Sequence, residues 1–526
     1  MIKIIAILIL IAGSYCRTPG KVSSKSSQAE VNHIPTAKVA IETTKTIATL
    51  DRNFLSFSID ISLIIGGAWW SGSTKTSHGL GDALAKPLNL TDTKLTRAVT
   101  PLLPAILRVG GSTADDVFYD MSGNANLPLP DKYKYKLTAS RWDELNNFVS
   151  TTGLDFMFTV NAGPGPRHAD NRWDDSQIQS LMSYSAKKNY RIKAWELGNE
   201  PNAFWLIHGL SSQLSATQYA SEFGLFSSIA KSHFPDAMTA GPQSAFWPVL
   251  GEPLIGISRI TDGFLRDVRP GKLDIVNWHY YPTQSSRCPA GVRYYTPDRL
   301  LSKTVLDDVT KITNHIKSLR DKYAPGTPIW LGETGPAQCG GEPGHSDRFQ
   351  SGLWYLDHLG SLAAADVKIV VRQSLVGSDY GMLDEATLNP RPDYWNALLW
   401  KRHMGENVFF VKSTLPDTVR VYSHCTSKSH PRFKPGSITV LVINLSKELR
   451  QSILWPDAIE STPKFVTKVT SDAPESKNLF INGHLISDLR NFDFYFAQEQ
   501  SSEQTILDPL SYQFNVFPDA SAPACL

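Results

Sequence analysis

Two glutamates stand in stretches shaped to expose a side chain. "AWELGNEPN" (Ala194–Asn202) closes an apolar run with Glu200 framed by Asn199 and Pro201, and "WLGETG" (Trp330–Gly335) carries Glu333 in a similar setting. A pair of carboxylates in one cleft is what hydrolysis of a glycosidic bond requires. One protonates the leaving oxygen and the other attacks the anomeric carbon, at a separation of about 5–5.5 Å in the retaining case. Asn199 is placed to hydrogen-bond a sugar hydroxyl, and Pro201 to fix the turn that aims Glu200. Glu196 alternates differently and is read as structural.

Both glutamates must be held by a scaffold that brings distant strand ends together. Short runs rich in β-branched and aromatic residues occur at Phe54–Ile64, Ala105–Gly110, Leu154–Asn161, Ile192–Leu197, Ala237–Gly241, Leu273–Tyr281, Pro328–Gly332 and Val367–Leu375. Helical patterns such as "ATQYASEFGLFSSIAKSHF" and "LDDVTKITNHIKSLRDKY" lie between them. Eight strands alternating with helices predict an α/β fold, a (β/α)8 TIM barrel over 54–404. A doubly wound sheet is disfavoured, because "SIDISLIIGGAWW" lacks a GxGxxG turn. Active sites of such barrels sit at the C-terminal ends of the strands. Read there, the chain offers Asp60, then Ser112, Thr113 and Asp115, then Asn161, Asn199 and Glu200. His279, Tyr280 and Tyr281 follow, then Glu333, Arg372 and Gln373. After about Glu406 the texture changes to short strands and turns ("TVRVYSHCT", "SITVLVINLS", "SYQFNVFP"), which predicts a C-terminal β-sandwich over 405–526. Residues 37–53 read as strands that join it.

With 41% hydrophobic residues, 19% charged and a net charge of +2, the chain is ordinary globular protein without the field that nucleic-acid binding needs. "MIKIIAILILIAGSYC" reads as a signal peptide over 1–16, and the Ser/Lys-rich 17–36 as a flexible leader. Secretion, or delivery to a lysosome-like compartment, follows, with no integral membrane segment. Beyond the signal, Cys288, Cys339, Cys425 and Cys525 make two disulfides the expectation, with three connectivities open. A bridge between Cys425 and Cys525 would close the sandwich. Asn89 and Asn444 head glycosylation sequons. HExxH, GxSxG and metal-spaced Cys/His clusters are absent from the sequence, which speaks against a metalloenzyme or a serine hydrolase. No cofactor or metal is expected.

At these residues the chain resembles the heparanase-type β-glucuronidases of glycoside hydrolase family 79, including leech-type hyaluronan endo-glucuronidases. The stretches that carry the resemblance are "LRVGGSTAD", "WELGNEPN", "WHYYP", "WLGETGPAQCGG", "VVRQSLVGSDYGMLDE", "PDYWNALLWKRHMG" and the terminal "DASAPAC". The resemblance implies that Glu200 is the general acid/base and Glu333 the nucleophile. It implies that Asp60, Ser112, Asn199, Tyr281 and Gln373 line the subsite of the cleaved sugar, while Cys339, Gly340 and Tyr380 occupy the positions that capture the glucuronate carboxylate. Cys425–Cys525 resembles the family's sandwich disulfide.

Three departures from the family pattern shape the expectation. Cys339 replaces the first glycine of a Gly-Gly pair, and a bond to Cys288 is expected because both follow adjacent strands; a free thiol is the alternative. Only "MSGNANLPLPDKYKYKLTAS" fills the place of the long excisable segment of animal heparanases, which predicts activity without internal excision. "GPQSAFWPVLGEPL" lacks the Lys/Arg cluster that would pair with sulfates. The expected protein is a secreted, monomeric, retaining endo-β-glucuronidase. Its partner is a glucuronate-containing polysaccharide, hyaluronan in preference to heparan sulfate. An exo-β-glucuronidase on plant glycans or small glucuronides, or an inactive polysaccharide-binding homologue, is the competing reading.

Overall fold

The computed structural model describes residues 34–69, 83–124, 126–248, 251–252, 259–288, 291–414, 416–429, 432–460, 462–489, 500–501 and 504–526. The expected signal peptide and nearly all of the expected leader lie outside them. Among the described residues no helix is long and apolar enough to cross a membrane.

Eight parallel strands close into a barrel in chain order: Leu55–Asp60, Ile106–Gly110, Asp155–Val160, Ala194–Leu197, Met238–Phe246, Ile275–Tyr280, Ile329–Thr334 and Ile369–Arg372. Each falls on one of the eight sequence runs. The last strand pairs with the first through Val370↔Leu55 and Arg372↔Phe57, completing the circle. Nearly every strand residue is buried on both faces, which explains why the runs read as continuously apolar rather than alternating. The long apolar run at the first strand divides: after Asp60 it turns into a short helix, Ser62–Ile65, ended by Gly66 at φ 81°.

Side chains alternate along each strand, so the barrel interior is built in layers. Ile106, Met157, Ala194, Ala240, Ile275, Trp330, Ile369 and Val371 form an apolar floor. Leu107, Val109, Trp195, Leu197, Val276 and Trp278 face outward to the helices. Two residues above the floor, the same inward faces carry Arg108, Thr159, Glu196 and Asn277, all fully buried. The interior is thus greasy at the base and charged in the middle.

Helices Ala139–Thr152 and Ala216–His233 start where the sequence marks them: the Thr138 and Ser215 hydroxyls accept from the Arg141 and Gln218 amides. Helix Phe349–Ala364 is buried on nearly every residue because a second module covers its outer side. There the Tyr422 hydroxyl donates to Asp357 at 2.6 Å, and Phe349 stacks on Tyr512.

Among the described residues that second module is a twelve-stranded sheet, ten strands in one hydrogen-bonded path and two paired beside it. Strand Ile438–Asn444 is buried on both faces: Ile438, Val440 and Val442 enter the module's own core, while Leu441 and Ile443 pack toward the barrel. The N-terminal strand Thr36–Glu42 lies inside it, antiparallel to Met404–Ser413 and parallel to Gln451–Leu454. Cys425 is bonded to Cys525 with 5.5 Å between their Cα atoms. The two sequons differ. Asn89 is exposed, but Asn444 is fully buried, its amide nitrogen donating to the carbonyls of Leu449 and Asp508 at 2.8 and 2.9 Å. A glycan on that nitrogen would break both bonds and has no room, so the expectation of glycosylation at Asn444 is corrected.

Removing the Cys425–Cys525 bridge with the double Ser variant frees a loop spanning 100 residues in the unfolded chain. The expected loss is about 2–4 kcal/mol in the free energy of unfolding, read by denaturant titration.

Candidate active site

Glu200 and Glu333 meet at the C-terminal mouth of the barrel. Together with His279 they present side-chain atoms within 4.8 Å of one another, and all three are buried. Glu200 sits at φ 54°, in the left-handed region, immediately before the short turn Pro201–Ala203. A non-glycine residue there stores roughly 1–3 kcal/mol of backbone strain that the surrounding fold must hold. Pro201 at the first position of the turn does part of that holding.

Below the mouth lies Arg108, whose guanidinium joins both strand ends. Its Nε donates to Glu196 at 2.8 Å, one terminal nitrogen to Glu333 Oε2 at 2.6 Å and the other to Asn199 Oδ1 at 2.9 Å. Glu196 also accepts from Thr159 and Asn277, so its structural reading becomes concrete: it is the buried counter-ion that fixes the arginine. Gly332 is required beside this layer, since a Cβ there would lie 2.3 Å from Asn277 Oδ1.

The environments of the two carboxylates differ. Glu333 accepts from Arg108 on one oxygen and from the Tyr281 hydroxyl, at 2.7 Å, on the other. Both oxygens are thereby engaged by donors, one of them a full positive charge. Glu200 Oε1 accepts from the Trp247 indole N–H at 3.1 Å and faces His279 Nδ1 at 3.2 Å. Burial and the charge of nearby Glu333 hold its carboxyl well above the ordinary range, against the pull of the Trp247 hydrogen bond. His279 is pushed far the other way by burial and Arg108, so its ring is neutral; among the described residues its buried Nε2 has no hydrogen-bond partner. With the Trp247 N–H on Oε1, Oε2 is the oxygen left to carry the proton of a neutral Glu200.

A belt of contacts continues around the mouth. Tyr281 stacks on Tyr380 with ring centroids 6.4 Å apart, and Tyr380 is hydrogen-bonded to Gln373. The Gln373 amide donates to Asp60 at 3.3 Å, and Ser58 donates to its carbonyl oxygen. Burial raises Asp60 to about 7. Gly111, at φ 103°, is required next to Asp60, because a Cβ would meet its Oδ2 at 2.2 Å. On the other side Asp115 accepts from the Ala162 and Asn199 amides at 2.9 and 2.8 Å, tying strands three and four together. Burial lifts Asp115 to about 7 as well.

Of the residues named from sequence, Asp60, Asn199, Glu200, Tyr281, Glu333, Gln373 and Tyr380 are therefore gathered at one mouth. Cys339 is disulfide-bonded to Cys288, and the Gly340 carbonyl accepts from the Asp379 amide at 2.9 Å, which places both beside Tyr380. Ser112 alone stays exposed, at the start of the turn after strand two. Arg372 donates to Asp393 at 2.7 Å and is a structural ion pair; Tyr280 faces outward and stacks on His358. Two residues of the site escape a reading of the sequence. Arg108 carried one signal, a lone cation inside the otherwise apolar "ILRVG". Trp247 carried none.

Glu200, His279 and Glu333 are close enough to ligate an ion, but the donor set fits one poorly. A guanidinium already sits 2.6 Å from Glu333, and Tyr281 takes its second oxygen. A divalent cation would face the arginine at short range. The arrangement suits proton transfer and nucleophilic attack.

Because Arg108 neutralises two buried carboxylates, Arg108→Met is expected to lower stability by about 3–5 kcal/mol. Urea unfolding of the purified protein checks this, and a loss below about 1 kcal/mol would remove the arginine from its central place.

Comparison with known proteins bears on this geometry. The family model described as "Glycosyl hydrolase family 79, N-terminal domain" matches residues 36–360. Rattus norvegicus heparanase is 32% identical, over 76% of this chain and 74% of its own. Mus musculus inactive heparanase-2 is 29% identical over 74% and 66%. Among solved structures, the GH51 α-L-arabinofuranosidase of Thermotoga petrophila superposes with a TM-score of 0.62 at 13% identity, covering 91% of this chain and 99% of its own. That last likeness is one of fold. The match over residues 36–360, on a barrel whose fourth and seventh strands bring Glu200 and Glu333 together, makes the chain a member of glycosyl hydrolase family 79.

Proposed function

We propose that the protein is a secreted or lysosomal, monomeric, retaining endo-β-glucuronidase that cuts internal glucuronidic bonds of a glycosaminoglycan. The observation that carries this reading is the unequal pair of carboxylates within 4.8 Å. That spacing suits direct attack on the anomeric carbon rather than a water held between two carboxylates. Glu333, aimed by Arg108 and Tyr281, attacks. Glu200 delivers the proton on Oε2 to the glycosidic oxygen. The same residue then takes a proton from water, which releases the glycosyl group from Glu333. Asn199 turns its carbonyl oxygen to Arg108, leaving its NH2 for a sugar hydroxyl. The uronate carboxylate meets the backbone of Cys339–Gly340 and the hydroxyl of Tyr380.

Hyaluronan is favoured over heparan sulfate because basic groups near the mouth are committed within the chain. Lys132 donates to the Arg167 carbonyl at 2.7 Å, Lys136 to the Leu127 carbonyl, and Lys134 pairs with Asp116 at 2.9 Å. The stretch from the end of strand five onward, "GPQSAFWPVLGEPL", holds no Lys or Arg. A densely sulfated chain would lack counter-ions there.

Incubation of the secreted protein with hyaluronan, and separately with heparan sulfate, followed by size-exclusion chromatography, tests the reading. Rapid shortening of hyaluronan is expected. Shortening of heparan sulfate alone would reverse the preference; release of monosaccharide without shortening would mean exo action; no change would favour a binding homologue. Glu333→Gln is expected to lower kcat at least about a thousandfold with secretion intact. Trp247→Phe removes a donor that stabilises ionised Glu200, so the alkaline limb of kcat/KM moves up by about one pH unit, the worth of one hydrogen bond to a charged group. An unmoved or lowered limb would refute the assignment of that limb to Glu200.

A further inference from the structure

The loops after strands six, seven and eight are tied together by contacts that the reaction itself does not use. Thr283–Gln284 and Ala337–Gln338 pair as a small parallel ribbon above the barrel. Directly beyond it Cys288 is bonded to Cys339. The segment after the ribbon then runs through three consecutive left-handed residues, Cys339, Gly340 and Gly341, at φ 62°, 81° and 83°. Glycine adopts that region freely, but a cysteine does so only when its surroundings impose it. The imposed curl turns the Gly340 carbonyl toward the third loop, where it accepts from the Ser378 hydroxyl at 2.7 Å and the Asp379 amide at 2.9 Å.

Arg287 completes the tie. From the loop after strand six its guanidinium donates to the Gly341 carbonyl at 3.2 Å and to the Asp379 carboxylate on the loop after strand eight. Both side chains are largely buried, 11% and 16% exposed, so solvent screens the pair weakly. The next residue is Tyr380. Gly341 packs against it so closely that a Cβ would lie 2.9 Å from the Tyr380 amide nitrogen. Tyr380 in turn stacks on Tyr281, which donates to Glu333.

We infer that Arg287 and the Cys288–Cys339 disulfide are positioning residues for acidic-sugar recognition: they clamp the 339–341 curl against Tyr380 and so hold the wall that meets the uronate. The inference rests on the glucuronidase reading. Neither group touches the reacting atoms, so their loss loosens the wall and leaves Glu200 and Glu333 in place. The disulfide also makes that wall sensitive to reduction: a dithiol that reduces it returns two thiols and leaves the curl held by Arg287 alone.

The test compares full-length wild type with Arg287→Gln and Cys288→Ser, measuring turnover of hyaluronan oligosaccharides, binding of free glucuronate by calorimetry, and the thermal midpoint. Free glucuronate has no bond to cut, so binding is read whether or not the protein is a hydrolase. The expected result is a roughly tenfold rise in KM and in the glucuronate Kd, with kcat within about twofold, and partial recovery in Arg287→Lys. Dithiothreitol should bring the KM and glucuronate Kd of wild type toward the Cys288→Ser values and leave the KM and Kd of that variant unchanged; the thermal midpoint is not compared under dithiothreitol, because the reagent also reduces Cys425–Cys525. If turnover is normal in wild type and neither variant alters KM or glucuronate binding, the clamp is refuted. A lower midpoint with kcat and KM damaged together would also overturn it, marking the contacts as merely structural. Glucuronate binding that weakens as expected in a protein that cuts no oligosaccharide would leave the clamp standing and remove the hydrolase reading.

Discussion

One buried guanidinium organises this molecule. A charge at the centre of a barrel is costly unless it is paired and hydrogen-bonded. Arg108 meets that condition by reaching Glu196, Glu333 and Asn199 at once. Those acceptors come from strands four and seven and from the loop after strand four, so desolvation itself enforces their convergence. The inward face of strand two begins with Ile106 in the apolar floor and continues with Arg108 two residues higher. Strand alternation alone therefore lifts the cation from the grease to the level of the chemistry.

From that level upward the site is a sorting of protons. Two carboxylates close together cannot both be ionised cheaply. Arg108 and Tyr281 hold Glu333, while burial and the nearby Glu333 push the carboxyl of Glu200 up against the pull of Trp247. The neutral histidine matters because a second cation would have drawn Glu200 into ionisation as well. The belt through Tyr380, Gln373 and Asp60 extends the same logic outward, each side chain held by the next.

Much of this was legible in the sequence, and the reason is geometric. Strand ends of a barrel share one rim, so locating eight apolar runs located the rim, and the polar residues just beyond them became its lining. Glu200 and Glu333 were visible because each follows a run that otherwise would have faded into a turn. Interior strand residues were harder. Glu196 was placed as structural without its partner, since nothing in "AWEL" names the strand that faces it across the barrel. Trp247 follows strand five in a stretch without periodicity, and its indole N–H acquires meaning only beside Glu200. Asn444 shows the converse limit: its sequon is intact, but burial, which no tripeptide records, withholds the nitrogen. The family resemblance supplied the roles at the rim, while the packing supplied what holds them.

The strand Thr36–Glu42, with the short Ala48–Thr49, belongs to a module whose other strands begin at Met404. The barrel is thus an insertion between two neighbours of one sheet. During synthesis this strand leaves the ribosome long before its partner exists. At roughly 5–20 residues per second its edges stay unpaired for tens of seconds. Its make-up suits such a wait: Thr36, Lys38 and Ala40 stay exposed while Ala37 and Val39 alone are deeply buried, which leaves a short apolar face and a lysine on the other side. A strand of that composition is a poor template for stray β-pairing. The last part of the chain to be made is therefore what gives the first part its place.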